Sequence, residues 1–318
     1  MILALAGGVG GAKLATGLAR VLPASELTIV VNTADDFEHL GLHISPDLDT
    51  VMYNLAGIHN PELGWGIAGE TWNFMAALKM LGGETWFQLG DRDLATHIER
   101  TRRLKAGESL SAVTQSLCER LGVRHRVVPM SEEPVRTIVH TDRGVLAFQD
   151  YFVRLRCEPV VNRIEYEGAD RARMSAGFEA ALSDDHLQCL VICPSNPFLS
   201  IAPMLATGGA REKLRSRGVP IIAVSPIVGG HAIKGPAAKI FKELGREASV
   251  TEVARFYRGL VDSLVVDEAD RTMSSAIAEL GIEPVVTHTI MRNQEDRERV
   301  AREVIELNRS RPPSQSFA

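Results

Sequence analysis

The sequence predicts an α/β protein in which a parallel sheet carries helices on both faces and a smaller α+β subdomain is inserted into the chain. Short β-branched runs that end in Gly, Asp, Asn or Pro alternate with helical patterns over most of the length, and such alternation is typical of a parallel sheet covered by helices. Between about 125 and 168 the alternation stops, and strand patterns follow one another with short turns. The 318 residues are enough for one large α/β unit with an insertion of this kind.

The individual elements follow from hydrophobic period and turn residues. The apolar run Ile2 to Ala6 predicts a first buried strand, Ala12 to Val21 a helix after it, and Leu27 to Asn32 the second strand. Later strands are expected at Trp86 to Leu89, Leu190 to Cys193, Pro220 to Val224, Ser263 to Val266 and Pro284 to His288. Helical spacing predicts helices at Leu94 to Leu104, Leu110 to Leu121, Ala237 to Leu244, Val250 to Leu260 and Glu295 to Leu307.

The change of pattern sets the expected domain boundaries. The segments RVVPM, TIVHT, VLAFQDYFVRL and RIEYE predict antiparallel strands with no helix between them. We expect residues 1–60 and 171–308 to form the core, residues 61–170 to form the inserted subdomain, and residues 309–318 to be a flexible tail.

Charge and composition exclude several classes of protein. Lys and Arg number 35 against 40 Asp and Glu, a net charge of −5, whereas a generic nucleic-acid binder needs concentrated positive charge. The longest apolar stretches fall well short of the roughly 20 residues that cross a bilayer. The start MILALAGGVGG lacks a basic region before its apolar run, so it predicts a strand and not a signal peptide. We therefore expect a cytoplasmic protein. Cys189 and Cys193 lie in the apolar run CLVICP with no second Cys or His pair near them, so we expect buried structural thiols and no zinc site.

A glycine-rich segment, Gly7 to Lys13 (GGVGGAK), lies between the first strand and the first helix. Glycines let a backbone approach a phosphate closely, and a helix N-terminus offers free N–H groups and a positive dipole end. The segment is not a P-loop, which needs Gly-Lys-Ser/Thr, and its spacing misses the dinucleotide fingerprint. It predicts a nucleotide or phosphate ester as ligand, with a tight strand-to-helix turn as the alternative.

Four carboxylates follow the second strand within fifteen residues: Asp35, Asp36, Asp47 and Asp49. Open parallel sheets bind ligands at this carboxyl edge, and carboxylate oxygens together with substrate phosphate are the ligands that Mg²⁺ prefers. The alternatives are that Asp47 caps a helix beginning at Leu48 and that Asp35 and Asp36 are turn residues. An acidic residue about 20 positions after a glycine loop also suits the ribose of a dehydrogenase cofactor.

Three further polar loops follow predicted strands. Gly90 to His97 (GDRDLATH) precedes a helix for which Asp93 is a natural N-cap, while Arg92, between two carboxylates, is expected to meet a ligand. Pro194 to Pro197 and Ser225 to Gly230 each come directly after an apolar strand. Such loops suit nucleotide recognition, although turn chemistry alone also produces them.

Seven segments in order, over most of the chain, resemble the CofD-like family of 2-phospho-L-lactate transferases. They are GGVGGAKLATGL, VVNTADD, HISPDLDTVMY, GWGIAGETWNF, LGDRDLATH, PSNPFLSI and SPIVGGHAIKG. The resemblance implies a Rossmann-like core with an inserted subdomain, a homodimer, and a Mg²⁺-dependent step of coenzyme F-420 biosynthesis. In that step a guanosine diphosphate ester donates its phospho-acid group to the terminal ribityl hydroxyl of the deazaflavin FO, and GMP is released.

The resemblance also implies roles for individual residues. Asp35 and Asp49 match the family's metal and acceptor-site aspartates, and Arg92 matches a deazaflavin contact. The nucleotide and its phosphates would meet Gly8, Val9, Gly10, Gly11, Lys13, Asn32, Ser195 and Asn196. We expect Asp35 and Asp49 to hold Mg²⁺ and, with Asp36, to be catalytic. Asp36 or Asp47 would orient the attacking hydroxyl, and Asp47, Asp49 and Arg92 would face the deazaflavin.

Two other functions stay open at this stage. A related family of regulatory proteins shares the glycine loop and the Asn-x-x-Asp-Asp strand end and binds nucleotide sugars without a known reaction, but Gly90 to His97 and Asp47 to Asp49 favour the transferase. An NAD-dependent dehydrogenase is disfavoured by the glycine spacing and by the lack of an evident catalytic His or Tyr pair. The sequence does not say whether phospholactate, phosphoenolpyruvate or phosphoglycerate is carried. Bacterial members of the family often resemble phosphoenolpyruvate users, which favours that acid.

Overall fold

One α/β chain is described by the structure, a computed structural model that covers residues 1–232 and 235–310. Its strands are β1 (Ile2–Ala6), β2 (Leu27–Val31), β3 (Phe37–His39), β4 (Leu42–Ile44), β5 (Arg126–Pro129), β6 (Arg136–Thr141), β7 (Gly144–Ala147), β8 (Val161–Glu167), β9 (Cys189–Ile192), β10 (Ile221–Val224), β11 (Ile227–Val228), β12 (His231–Ala232), β13 (Ser263–Asp267) and β14 (Glu283–Thr287). Its helices are α1 (Gly8–Val21), α2 (Pro46–Leu55), α3 (Asn73–Met80), α4 (Asp91–Lys105), α5 (Leu110–Arg120), α6 (Ala176–Ser183), α7 (Ala202–Ala206), α8 (Ala210–Ser216), α9 (Ala237–Glu243), α10 (Val250–Tyr257), α11 (Ser274–Ala278) and α12 (Gln294–Ser310). Short 3₁₀ turns lie at Ala24–Glu26, Thr207–Gly209 and Glu268–Met273, and π-helical turns at Asp150–Arg154 and Pro197–Ile201.

Seven strands form one sheet in the order β14-β13-β10-β9-β1-β2-β5, and every pair in it is parallel. The central strands β1, β2, β9 and β10 are short apolar runs in which every residue is buried. Burial on both faces is what a parallel sheet between two helical layers requires. The predicted α/β fold is confirmed.

The two faces of the sheet belong to two separate apolar clusters. Leu3 and Leu5 of β1 face one cluster, whereas Ile2, Ala4 and Ala6 face the other, because successive side chains of a strand point to opposite faces. Helices α1, α2, α5 and α12 contribute to the second cluster and α6 to α11 to the first. Each face is therefore covered by its own helical layer.

The strand order reverses direction between β1 and β9. From β1 the chain adds β2 and β5 on one side, and from β9 it adds β10, β13 and β14 on the other. The helices that follow β1 and β9 consequently pack on opposite faces of the sheet, and the crevice beside this reversal at the carboxyl edge is where doubly wound sheets bind ligands. In this chain the loops that leave β1 and β9 are the glycine segment and the Pro194 to Pro197 segment.

The structure corrects three predicted elements. Residues 86–89 form no strand; Trp86 and Phe87 pack instead on Phe37 and His39. The segment RVVPM is β5 and pairs in parallel with β2, so it belongs to the main sheet and not to an antiparallel insertion. The segment VLAFQDYFVRL holds β7, but its second half is the π-helical turn Asp150–Arg154.

The other strands that the sequence predicts between about 125 and 168 pair in antiparallel fashion, as expected. Strands β7, β6 and β8 form a three-stranded antiparallel sheet. The division into residues 1–60 with 171–308 and an insertion at 61–170 stays a prediction, although one strand of that range lies in the main sheet. Residues 309 and 310 end helix α12, and the remainder of the predicted tail, 311–318, lies outside the described residues. In the part of the chain described, no helix combines the length and the apolarity that a membrane span needs.

Candidate active site

A cavity of about 450 Å³ opens at the crevice between the loops that follow β1 and β9. Its wall combines the glycine segment, the acidic residues after β2, the loops after β9 and β10, and parts of the chain between 61 and 170. The predicted site residues among its lining are Gly8, Val9, Gly10, Lys13, Asp35, Asp47, Asp49, Ser195 and Asn196. The structure therefore brings most of the sequence-predicted site to one place.

The glycine segment is tied to the loop after β9 by Ser195. The Gly7 N–H donates to Ser195 Oγ at 3.0 Å, and the same hydroxyl donates to the Gly7 carbonyl at 2.8 Å. A Cβ on Gly10 would lie 2.2 Å from the Pro194 carbonyl oxygen, and a Cβ on Gly11 would lie 2.3 Å from Ser195 Oγ. Packing within the protein thus explains these two glycines.

Gly8 needs to be glycine because of its backbone conformation and not because of close packing. Its φ of +61° lies in the left-handed region, and an added Cβ would meet only Asp47 Oδ1 at 3.8 Å. The segment opens α1 at this residue, so N–H groups of the first turn lie at the cavity wall. Lys13, one turn further, donates from Nζ to the Met291 carbonyl at 2.8 Å and also lines the cavity.

Asp47, in the first turn of α2, is a buried acid that lies beside the N-terminus of α1. Asn32 Nδ2 donates to Asp47 Oδ2 at 3.0 Å, and the Gly8 N–H donates to the same carboxylate. Burial nevertheless raises the pKa of Asp47 to about 6, with a further upward contribution from the charge of Asp36. Asn32 itself is fully buried, so it acts on the cavity through Asp47.

Asp35 is held by two residues of the chain between 61 and 170. Thr137 Oγ1 donates to Asp35 Oδ1 at 3.2 Å, and Gln149 Nε2 donates to the Asp35 backbone carbonyl at 3.0 Å. Burial raises the pKa of Asp35 well above its ordinary value, and the charges of Asp47 and Asp36 raise it further. Two buried carboxylates that repel each other beside a cavity are an environment that a cation would stabilise.

Asp49 lies in a separate buried network between α2 and α4. Arg100 donates to both of its oxygens, through Nη1 to Oδ2 at 3.0 Å and through Nη2 to Oδ1. His97 Nδ1 lies 3.6 Å from Asp49 Oδ2, and His97 Nε2 lies 3.4 Å from Asp93 Oδ1. Tyr53 donates to Asp93 Oδ1 at 2.6 Å. Asp49, Asp93 and His97 bring potential metal-ligating atoms within 4.8 Å of one another.

Several predicted site residues have other surroundings. Asp36 is absent from the lining of the main cavity; it lines a smaller cavity of about 210 Å³ and accepts hydrogen bonds from Ser45 and His43. Arg92 is exposed and donates to the Ala68 carbonyl at 2.8 Å. The predicted N-cap role of Asp93 is wrong, because α4 begins at Asp91 with Gly90 as its N-cap.

The cap prediction for Asp47 is also corrected, and Asn196 gains a local role. Helix α2 begins at Pro46 with Ser45 as its N-cap, so Asp47 stands in the first turn and not at the cap. Asn196 Oδ1 accepts from the Phe198 and Leu199 N–H groups and so caps the π-helical turn. Its Nδ2 is buried without a partner. Asn196 thus shapes the wall of the cavity through this turn and leaves one amide donor unpaired.

Sequence reasoning missed an aromatic wall and the network around Asp49. Phe87, Phe148 and Phe152 line the cavity, and the last two rings stack with centroids 5.2 Å apart at 13°. Their pattern in the sequence resembled strands, which concealed their role. Arg100 and Tyr53 could have been found from helical spacing, because each lies on the same helix face as an acidic residue of a recognised motif.

The carboxylates present suit Mg²⁺, which the family resemblance implies. Asp35 and Asp47 provide hard oxygen donors at the cavity wall, and their mutual repulsion is a cost that a divalent cation would remove. Asp49 differs, because both of its oxygens already bond to the Arg100 guanidinium. The donor set therefore fits the cation best on the Asp35 side of the cavity.

Comparisons with known proteins show the family to which this chain is similar. A family model described as 2-phospho-L-lactate transferase CofD matches residues 2–307. The chain is 41% identical over 313 residues to the phosphoenolpyruvate transferase of Kitasatospora aureofaciens, covering 96% of this chain and 97% of that protein. It is 37% identical over 305 residues to the 2-phospho-L-lactate transferase of Methanosarcina mazei, covering 96% and 99%.

Solved structures share the fold at low sequence identity. A crystal structure of a Bacillus halodurans protein, a member of the UPF0052 family, superposes with a TM-score of 0.63 at 15% identity. The match covers 96% of this chain and 98% of that one. At this identity the likeness concerns the fold alone.

Proposed function

The chain belongs to the 2-phospho-L-lactate transferase CofD family, and from that premise we propose that it transfers a phospho-acid group from a guanosine diphosphate ester to the ribityl hydroxyl of the deazaflavin FO. GMP would be the second product, and the step belongs to coenzyme F-420 biosynthesis. One observation carries the proposal: a single cavity is lined by the N-terminal turn of α1, by the buried acids Asp35, Asp47 and Asp49, and by an aromatic wall. These are the surroundings that an anionic donor and a planar acceptor need in one site.

The donor would bind at the glycine end of the cavity. The first turn of α1 offers N–H groups and a positive dipole end to the diphosphate, and Lys13 adds a charge at the same wall. The hydroxyl of Ser195 holds the glycine segment in place through two hydrogen bonds with Gly7. The Asn196 Nδ2 amide, which has no hydrogen-bond partner, lies beside it. The loops after β9 and β10 would hold the nucleoside.

The acceptor would bind at the aromatic end. Phe148 and Phe152 present a stacked pair of rings, and Phe87 adds a third face. Aromatic rings suit a planar tricyclic ligand because offset stacking adds about 0.5–1.5 kcal/mol per pair beyond the buried area. The ribityl chain would then extend from these rings toward Asp49.

The chemical step needs positioning more than covalent catalysis. The acceptor oxygen forms a bond to the phosphorus of the phospho-acid, the bond from that phosphorus to the GMP oxygen breaks, and the proton of the hydroxyl passes to the solvent. Asp49, and not Asp36 or Asp47 as the sequence led us to expect, would accept the hydrogen bond of the hydroxyl and orient it. Asp36 is absent from the cavity lining, and Asp47 accepts hydrogen bonds from Asn32 and Gly8 at the glycine end.

Bound Mg²⁺ would neutralise the nonbridging oxygens of the diphosphate. Asp35 would hold the ion, with Asp47 beside it, whereas the predicted second ligand, Asp49, is bonded to Arg100.

Phosphoenolpyruvate is the acid that we propose, as the family resemblance favours. Relatives named phosphoenolpyruvate transferases are 38–41% identical and relatives named 2-phospho-L-lactate transferases are 36–39% identical. The three acids differ by a double bond, a methyl or a hydroxyl, so a direct assay of each donor decides the matter. The homodimer and the cytoplasmic location stay predictions.

The proposal is tested by incubating the protein with Mg²⁺, FO and each guanylyl donor. We expect GMP and an acidic deazaflavin product by mass spectrometry. Asp49→Asn should lower the rate by about a hundredfold, because the orienting charge is lost. Absence of product with every donor, together with binding of nucleotide sugars, would instead favour a regulatory binding protein. Reduction of NAD by a hydroxy-acid would favour a dehydrogenase.

A further inference from the structure

We propose that Arg100 and His97 are positioning residues that hold the Asp49 carboxylate toward the acceptor hydroxyl, and that Asp93 and Tyr53 fix His97 in turn. The inference rests on the proposed function and assigns these residues a role that acts through Asp49. Asp93 and His97 also line the cavity, whereas Arg100 and Tyr53 lie behind them. Together they form the buried network between α2 and α4.

The network lies between one face of α2 and the facing side of α4. Asp49 and Tyr53 are four residues apart on α2, and Asp93, His97 and Arg100 follow one another at spacings of four and three on α4. Residues at these spacings share one face of a helix. Asp49 on α2 accepts a hydrogen bond from Arg100 on α4, and Asp93 on α4 accepts one from Tyr53 on α2. Each carboxylate thus has a donor from the opposite helix.

Arg100 fixes the orientation of Asp49. Its side chain is 1% exposed and is the largest fully buried side chain among the described residues. A guanidinium that reaches both oxygens of a carboxylate fixes the plane of that carboxylate as well as its charge, which a lysine cannot do. Because Asp49 also lines the cavity, its remaining lone pairs face a ligand in one orientation.

His97 lies between the two carboxylates and keeps them apart. His97 Nδ1 lies 3.4 Å from Arg100 Nη1 and 3.6 Å from Asp49 Oδ2, and His97 Nε2 lies 3.4 Å from Asp93 Oδ1. The ring cannot turn away without losing these contacts, since Asp93 is itself held by the Tyr53 hydroxyl at 2.6 Å. A chain of contacts therefore runs from Tyr53 through Asp93 and His97 to Asp49.

The Asp49 carboxylate needs no metal ion, because the network already supplies hydrogen-bond donors to both of its oxygens. A metal at Asp49, Asp93 and His97 would have to share ligand atoms that already bond to Arg100 and Tyr53. An ordered carboxylate that accepts a hydrogen bond from the acceptor hydroxyl needs no further charge. Ordering of this kind supports catalysis because a misplacement of about 1 Å can cost a factor of roughly a hundred in rate.

The test compares Arg100→Lys with Arg102→Lys on the same helix. Arg102 is exposed and pairs with Glu99, outside the cavity. In the transfer assay with Mg²⁺, donor and FO, we expect Arg100→Lys to lower kcat by about 10- to 100-fold. The KM for the donor should stay unchanged, because the donor binds elsewhere in the cavity. Arg102→Lys should keep the activity of the wild type.

A second pair of variants keeps the test decisive if Arg100→Lys does not fold. His97→Gln retains polar groups that can bridge the two carboxylates, whereas His97→Leu does not. We expect His97→Gln to keep at least tenfold more of kcat than His97→Leu, at equal melting temperature. Equal kcat in both, or a wild-type kcat in folded Arg100→Lys, would overturn the inference.

Two further readouts separate the alternatives. An inactive wild type would refute the proposed function, and an active wild type with unaffected variants would refute only the positioning roles. Mn²⁺ binding, followed by electron paramagnetic resonance without substrate, should have the same affinity in His97→Gln as in the wild type. A tenfold or greater loss of Mn²⁺ affinity in that variant would make the network a metal site and would also overturn the inference.

Discussion

Asp47 shows at the scale of one residue how a site can work against stability. The carboxylate is buried beside Asp35 and Asp36, and Asn32 and the Gly8 N–H supply only part of the stabilisation that water would give. Its pKa is consequently raised from 3.8 to about 6. The folded protein binds this proton more tightly than the unfolded chain does, so the favourable contribution exists below about pH 4 and is lost as the pH rises to 6.

Asp47→Asn should therefore stabilise the metal-free protein at neutral pH while lowering its activity. The shift corresponds to about 3 kcal/mol in the free energy of unfolding at pH 7.5, and the gain should shrink toward pH 4.5. Urea denaturation in EDTA at both pH values measures it. A gain that is equal at both pH values, or a loss at pH 7.5, would contradict the interpretation.

Asp91 provides a control of opposite sign. Hydrogen bonds from the Thr71 hydroxyl and the Phe74 N–H lower its pKa to about 2. Its favourable contribution is present above the ordinary pKa and is lost only in acid. Asp91→Asn should accordingly destabilise the protein at pH 7.5, by an amount that diminishes as the pH falls toward 2.

Single residues also show how far the sequence could predict the site. The clustering of acids and glycines after two buried strands predicts a shared site, and Asp35, Asp47 and Asp49 do line one cavity, because parallel strands end at a common edge. Arg92 stands out in the sequence because of its acidic neighbours along the chain. The arginine that reaches Asp49 is Arg100, two helical turns further; helical spacing puts it on the same face as Asp93, but only the packing of α4 on α2 shows that its partner is Asp49.

At the scale of elements, the contact between α1 and α12 depends on the absence of one side chain. A Cβ at Gly17 of α1 would lie 2.2 Å from the carbonyl oxygen of Arg297 and 3.3 Å from Ala301 Cβ. Both helices cover the same face of the sheet, next to β1 and the glycine segment. A backbone carbonyl cannot move aside as a side chain can. The two helices can therefore approach this closely only because residue 17 has no Cβ.

Gly17→Ala should destabilise the protein by about 1–3 kcal/mol, although alanine is the better helix former. Gly177→Ala in α6 is the matched control, because the added Cβ there meets the side chain of Val128 at 2.7 Å and no backbone atom. We expect a smaller loss for the control in urea denaturation. Equal stability of both variants would mean that α1 and α12 separate easily.

The two kinds of strand error have separate physical causes. Trp86 to Leu89 is apolar enough to be a strand, but tertiary contacts of Trp86 and Phe87 with His39 and Phe37 use that apolarity in a loop. RVVPM is a strand as predicted, yet its partner β2 lies about a hundred residues earlier. Local pattern gives no information on a pairing at that separation.

At the scale of the molecule, the site depends on the small antiparallel sheet β7-β6-β8, which contacts the loop that follows β2 of the main sheet. Thr137 of β6 donates from its N–H to the Ala34 carbonyl at 2.8 Å and from Oγ1 to Asp35 Oδ1. Gln149, after β7, donates to the Asp35 carbonyl. The small antiparallel sheet therefore fixes both the backbone and the side chain of an acid that follows β2, and the sequence alone could not show this contact.

Thr137→Val tests whether that support matters for function. Valine keeps the shape and the backbone bond but removes one hydrogen bond to a buried carboxylate, a loss of about 1–3 kcal/mol for the ionised group. We expect weaker Mn²⁺ binding at Asp35 and at least tenfold lower kcat. Thr141→Val is the control, because its hydroxyl bonds to Gly144 within the hairpin. If both variants kept wild-type Mn²⁺ affinity and kcat, the hydrogen bond from Thr137 would not support a cation at Asp35, and the small antiparallel sheet would only enclose the cavity.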